Sequence, residues 1–237
     1  MSSAATDRSS VVAVTGLEIE ARIAAGPGVR TVAAGGDGHA LVTALEREMA
    51  RGATAIISFG IAGGLAAASA AGTWLVADAV VARGKRWPVD AGWAAALAAR
   101  LPDAQRGDIA GADAIIAAAA DKRALGDATG AIAVDTESHV VAEFASNHGV
   151  PFAVFRVIAD PVGQALAPAA TLGMRSDGTV NSRAVLGSVV RTPTQLPTLF
   201  RNAIAARVAF RALLRGRRLL GPGLGYPDLG QLLLDVP

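Results

Sequence analysis

Residues 130–160 read GAIAVDTESHVVAEFASNHGVPFAVFRVIAD. Residues 131–134 form a short buried-strand pattern that stops at Asp135-Thr136-Glu137-Ser138. A helical stretch follows, with Val140, Val141, Phe144 and Ala145 at helix spacing and the polar Glu143, Ser146 and Asn147 elsewhere. Gly149 closes it, as a helix-ending glycine does. Residues 150–159 are a second apolar strand, ending in Asp160-Pro161. The unit is strand–helix–strand, with one acid, Glu137 or Asp160, just past the end of each strand. Open α/β sheets bind ligands at the carboxyl ends of their strands. Two carboxylates delivered there can divide the work, one gripping hydroxyls and the other handling a proton. The plainer alternative is that Asp135 and Thr136 cap the helix and Asp160-Pro161 opens a turn.

Outward from this unit, the chain keeps alternating strands and helices. Strand patterns at 11–15, 29–34 and 53–59 are followed by a glycine turn into a helix at 16–22, a helix at 40–51 and the glycine-rich run 60–65. Glycines at a strand end let backbone approach a ligand closely. The run Gly35-Gly36-Asp37-Gly38 lacks the GxGxxG spacing of a dinucleotide site. Another strand is expected at 73–81 and a helix at 91–100. An apolar loop is expected at 111–116, then a charged turn at Asp121-Lys122-Arg123. Residues 164–191 read as a loop and a short helix, and 194–220 as a long helix. On that helix Leu196, Leu199, Ala203, Phe210, Leu213 and Leu214 form an apolar stripe expected to lie on the sheet. Arg207, Arg211, Arg215 and Arg218 share a neighbouring face, read either as solvated or as a surface for anionic lipid.

Composition bounds the rest. The 237 residues suffice for one large α/β domain. Apolar residues are 52% of the chain, much of that alanine and glycine, and no window reaches the roughly 18 apolar residues of a spanning helix. Without cysteine there are no disulfides or thiolate metal sites. The three histidines, His39, His139 and His148, are far apart and suggest no metal cluster. A net charge of +2 argues against nucleic acid as a partner. Residues 1–10 read as a disordered leader rather than a secretory signal, which implies a cytoplasmic protein, with the inner membrane surface as a candidate peripheral contact. The tail, 221–237, is rich in Gly, Pro and Leu and is expected to pack on a neighbouring subunit.

Three segments fall into a familiar order. FGIAGGL (59–65) resembles the glycine-rich turn of the nucleoside phosphorylase and nucleosidase superfamily. VDTESH (134–139) resembles its ribose-binding segment, with Thr136 where Met is usual. FRVIAD (155–160) resembles its strand ending in the catalytic aspartate. GLEIEARIA and RTPTQLP are similar to one branch, the hopanoid-associated phosphorylases. The resemblance spans roughly residues 11–220. It implies a three-layer α/β/α sandwich around a twisted mixed sheet, forming a single domain over 11–220, and a homo-oligomer. It implies cleavage of a purine N-glycosidic bond, with Asp160 protonating the leaving base and Glu137, beside Thr136, accepting the ribose hydroxyls. Ile61, Ala62 and Gly63 match the wall near base and ribose. Ile115 and Ile116 match the loop over the base, where an aromatic stacker is common in relatives. Ala159 stands where a serine often orients the aspartate. Glu20 falls where nucleosidases keep a carboxylate that activates water and many phosphorylases keep an arginine for phosphate; Arg22 is the candidate compensating cation. No cofactor is implied beyond inorganic phosphate as a candidate co-substrate. The branch implies adenosylhopane, an adenosine with an apolar 5′ group. Methylthioadenosine or S-adenosylhomocysteine cleavage is the alternative, and a non-catalytic, membrane-associated nucleoside binder is the alternative of another class.

Overall fold

The computed structural model describes residues 10–35, 37–172 and 182–227. In chain order they form β1 (Ser10–Thr15), α1 (Glu18–Ala24), β2 (Val29–Ala33), α2 (Gly38–Ala50), β3 (Ala53–Gly64), β4 (Trp74–Ala82), β5 (Lys85–Pro88) and α3 (Ala91–Arg100). There follow β6 (Gln105–Gly111), α4 (Ala119–Thr129), β7 (Ala133–Asp135), α5 (Ser138–His148), β8 (Phe152–Asp160), α6 (Pro168–Leu172), α7 (Ser182–Arg191) and α8 (Leu196–Leu220). The expected leader lies outside the described residues apart from Ser10, which opens β1.

All eight strands belong to one mixed sheet, with helices packed on it, as the sequence implied. β1 runs parallel to β2 and β3, and β3 runs parallel to β8. β8 then pairs antiparallel with β4, β4 parallel with β6, and β6 parallel with β7. β7 returns antiparallel to β3. The path β3–β8–β4–β6–β7–β3 therefore closes into a ring, and β1, β2 and β5 extend from it. β8 is buried at every position, which is why its sequence is β-branched, aromatic and small apart from Arg156 and Asp160. Phe155 packs on Phe59 of β3 with ring centroids 5.5 Å apart.

The glycine-rich run after residue 59 is strand rather than turn. β3 continues to Gly64, paired with β8 on one side and β7 on the other. Its glycines are there for space: a Cβ on Gly60 would lie 2.6 Å from both Glu20 Oε1 and Arg156 Nη1. The charged run at 121–123 is likewise not a turn but the first part of α4, which ends at Gly130 with φ +71°.

The long helix α8 is rotated relative to its expected orientation. Ala205, Ala209, Leu213, Gly216 and Leu220 face inward, whereas Leu196 and Leu214 are exposed. Close approach is the reason, since a Cβ on Gly216 would sit 2.6 Å from the Phe155 ring. At that point of contact no side chain fits, so glycine stands there. Arg217, also buried, donates to Ala24 O at 2.8 Å and Gly221 O at 2.7 Å, tying the helix end to α1. The tail's first residues pack on their own chain. Leu224 is fully buried, its carbonyl accepts the Trp93 indole N–H at 3.1 Å, and Tyr226 meets Trp93 edge-on. Residues 228–237 of the expected tail lie outside the described residues.

Candidate active site

The ends of β1, β3, β7 and β8 converge on a cavity of about 520 Å³. Glu20 enters it from the first turn of α1. The helix dipole favours an acid in that position, but this one is buried rather than solvated. Its carboxylate accepts the N–H groups of Gly16 at 3.0 Å, Leu17 at 2.8 Å and, across the sheet, Ile61 at 2.7 Å. Burial pushes the carboxyl up to about 7, against the pull of Arg156 and these N–H groups.

Arg156 is the residue that sequence reasoning missed. It sits in the middle of β8, wholly buried, with its guanidinium 2.6 Å from Asp135 and 3.2 Å from Glu137. It also donates to Ser58 Oγ at 2.6 Å. Burial works against its charge, but Asp135, Glu137 and Glu20 outweigh that and hold it above the ordinary arginine value. A buried guanidinium with several carboxylates around it fixes all of them relative to one another. The signal was present: a charged residue inside an otherwise apolar strand pattern needs a buried partner.

Glu137 occupies the N-cap position of α5 without capping it. Asp135 does that instead, accepting the Ser138 N–H at 2.9 Å. Glu137 is thereby released toward the cavity, where Thr136 donates its hydroxyl to one carboxylate oxygen and Arg156 holds the other. Burial raises the Glu137 carboxyl, and Arg156 counters it. Gly16 makes room, since a Cβ there would come within 2.9 Å of Glu137 Oε1.

Asp160 ends β8 on the same cavity. Burial raises its carboxyl above the usual carboxylate range, and Lys122 from α4 pulls the other way through a direct ion pair. Ile61, Ala62 and Gly63 form one wall, and Ile115 and Ile116 another. Beyond these the cavity turns apolar, along Leu166, Ala170, Leu199, Ala203, Ala206 and Phe210. Asp113, beside Ile115, pairs with Arg83 and lies 3.2 Å from His139 Nε2.

Arg22 does not reach the site. Its side chain is 76% exposed and pairs with Glu18 at 2.9 Å, so the cation beside Glu20 is Arg156. Arg207, Arg211, Arg215 and Arg218 are exposed on α8, with Phe200, Ile204 and Val208 exposed alongside them. Arg215 lies over the Trp74 ring at 4.9 Å. No helix among the described residues is long and apolar enough to cross a membrane, and no cluster of His, Cys, Asp and Glu among them could hold a metal ion.

A family model described as the Phosphorylase superfamily matches residues 19–191. No curated protein matches the sequence. Among solved structures, the S-adenosylhomocysteine nucleosidase of Streptococcus pyogenes in complex with 5-methylthiotubericidin is 17% identical, with 85% of this chain and 98% of that one covered and a TM-score of 0.57. The 5′-methylthioadenosine/S-adenosylhomocysteine nucleosidase of Helicobacter pylori with butyl-thio-DADMe-Immucillin-A is 16% identical over 88% of this chain and 97% of that one, TM-score 0.59. The futalosine hydrolase of Helicobacter pylori is 15% identical over 89% and 97%, TM-score 0.58. At these identities the likeness is one of fold.

Proposed function

Because this chain belongs to the phosphorylase superfamily, we propose that it cleaves the N-glycosidic bond of a 5′-substituted adenosine and releases adenine. The observation that carries the reading is that Glu20, Glu137 and Asp160 line one cavity, the first two beside the buried Arg156 and the third paired with Lys122. Breaking the bond leaves positive charge on the sugar and negative charge on the base. Asp160, whose burial favours the protonated form, donates to N7 of the leaving purine. Glu137, steadied by Thr136 and Arg156, accepts the ribose 2′- and 3′-hydroxyls and favours the cationic sugar.

The attacking group in this reading is water. Arg156 is the one cation among the described cavity residues, and it already faces three carboxylates. A phosphate dianion would meet net negative charge there. Glu20, pushed up to about 7, suits a general base working at neutral pH. Water oxygen attacks C1′ and its proton passes to Glu20; the C1′–N9 pair leaves with the base, which takes the Asp160 proton at N7.

The apolar half of the cavity suits a long aliphatic 5′ substituent, and the resemblance to the hopanoid branch names adenosylhopane as the substrate of that class. Adenine release in phosphate-free H₂¹⁸O, with the sugar product weighed, tests the reaction. One ¹⁸O in a free sugar is expected; strict phosphate dependence with only ribosyl phosphate formed overturns the hydrolytic assignment. No adenine from any adenosine makes the protein a binder rather than an enzyme. Competition between 5′-alkyl adenosines of increasing length and methylthioadenosine or S-adenosylhomocysteine tests the substituent, and preference for the short thioethers overturns the long-chain reading.

A further inference from the structure

Lys122 takes no part in the reaction above, yet it is among the most deeply buried side chains in the protein, with 0% exposure. Its Nζ meets the Asp160 carboxylate directly. It also donates to Gln164 O at 2.8 Å and lies 3.3 Å from Asp160 O and Pro161 O. A carboxylate and three carbonyls around one Nζ are acceptors only, which is a setting for an ammonium and not for a neutral amine. Lysine is rarely buried this way unless its charge is paired.

The other charged groups on the elements around Asp160 are occupied elsewhere. Asp121, Arg123 and Asp127 of α4 are exposed, and Asp135 of β7 and Arg156 of β8 are paired with each other. Glu137 is held by Thr136 and Arg156, and Asp113 by Arg83. Among the described residues Lys122 is the charged group that bears on the Asp160 carboxyl.

We propose that Lys122 is a positioning residue for Asp160: it holds one carboxylate oxygen, leaves the other for the departing base, and sets the pH range in which Asp160 carries the proton it donates. The inference rests on the acid role proposed for Asp160. In the step, the Asp160 O–H bond breaks and its proton goes to the base nitrogen. The carboxylate left behind faces a Lys122 ammonium whose own charge has not changed. Lys122 therefore stabilises the state after proton transfer and makes Asp160 a stronger acid. Through the carbonyls of residues 160, 161 and 164 it also fixes the turn that follows β8.

The test compares wild type, Lys122→Met and Lys122→Arg by the pH dependence of kcat/KM for adenine release. Removing the cation leaves a buried carboxyl with burial alone acting on it. The basic limb of the Met variant should move up by about one pH unit or more, the scale of an opposite charge in contact. KM should change little, and the Arg variant should keep the wild-type limb. A merely structural lysine would lower activity at every pH without moving the limb. Titration of [¹³C]aspartate-labelled protein, with the Asp160 signal assigned from Asp160→Asn, reads the same coupling without turnover. If the Met variant fails to fold, Lys122→Gln carries both measurements. Wild type that releases no adenine at any pH refutes the proposed function, and the ¹³C titration still judges Lys122. An Asp160 signal that titrates alike with and without the lysine charge overturns this proposal.

Discussion

Glu20→Gln separates the energy of burying a charge from the energy of the bonds it makes. In the folded chain the Glu20 carboxyl is pushed up from 4.5 to about 7. Between those values the folded state holds a proton that the unfolded chain has already lost. The associated stability is fully present below about pH 4.5 and is lost as pH rises through 7. At about 1.4 kcal/mol per pH unit the gap is worth about 3 kcal/mol, most of it between pH 5 and pH 8. Glutamine cannot titrate. It forfeits an acceptor toward the N–H groups of Gly16, Leu17 or Ile61, but that loss is the same at every pH. Urea unfolding of both proteins at pH 5 and pH 8, followed by tryptophan fluorescence, isolates the titrating part. The stability difference should shift toward the variant by about 2–3 kcal/mol on going to pH 8. A difference that stays constant across that range would refute the reasoning that Glu20 is held in a desolvated site.

Asp160→Asn keeps the size of the side chain and removes its transferable proton, so adenine release should fall by about 10²-fold or more while binding by calorimetry changes little; near-normal turnover would sink the acid assignment. Glu137→Ala should lose more activity on adenosine-type substrates than on their 2′-deoxy counterparts, which already lack one partner hydroxyl, and equal losses would reduce Glu137 to a helix-start residue. Arg207, Arg211, Arg215 and Arg218, with Phe200, Ile204 and Val208 exposed beside them, should bind anionic vesicles at low salt, at about 1 kcal/mol per basic group. Replacing the four arginines with glutamine should abolish sedimentation with such vesicles, and wild type that never sediments ends the idea.

What could be read from the sequence was whatever it wrote in apolar runs and in acids at their ends. β1, β3 and β8 are buried on both faces, so their sequences are nearly unbroken apolar text, and Glu137 and Asp160 stand out after it. β7 is three residues long and was visible through its apolar context. β5 and β6 were missed because they carry Arg86, Arg106 and Asp108, whose partners lie on other strands of the sheet rather than nearby in the chain. α4 was missed for a different reason. Its alanines give helical spacing little contrast, and an isolated Asp-Lys-Arg reads as solvated although Lys122 is buried against Asp160. The same limit hid Arg156, because a buried ion pair is defined by long-range partners. The glycines of β3 resembled a turn because local preference disfavours glycine in strands; close approach of Glu20, Arg156 and Asp160 overrides that preference.

The closed ring of strands has a consequence for how the chain is made. β8 seals it, pairing β3 on one edge and β4 on the other. A nascent chain that has produced everything through α5 still holds residues 56–63 and 74–76 as unpaired, apolar strand edges. Such edges invite pairing with other chains, and the contact that protects them spans about a hundred residues, which slows its formation. A ribosome-released fragment ending before Phe152 would therefore be an aggregation hazard rather than a smaller working protein. Because β8 also delivers Arg156 and Asp160, protection of the sheet and assembly of the chemistry arrive in one event during synthesis.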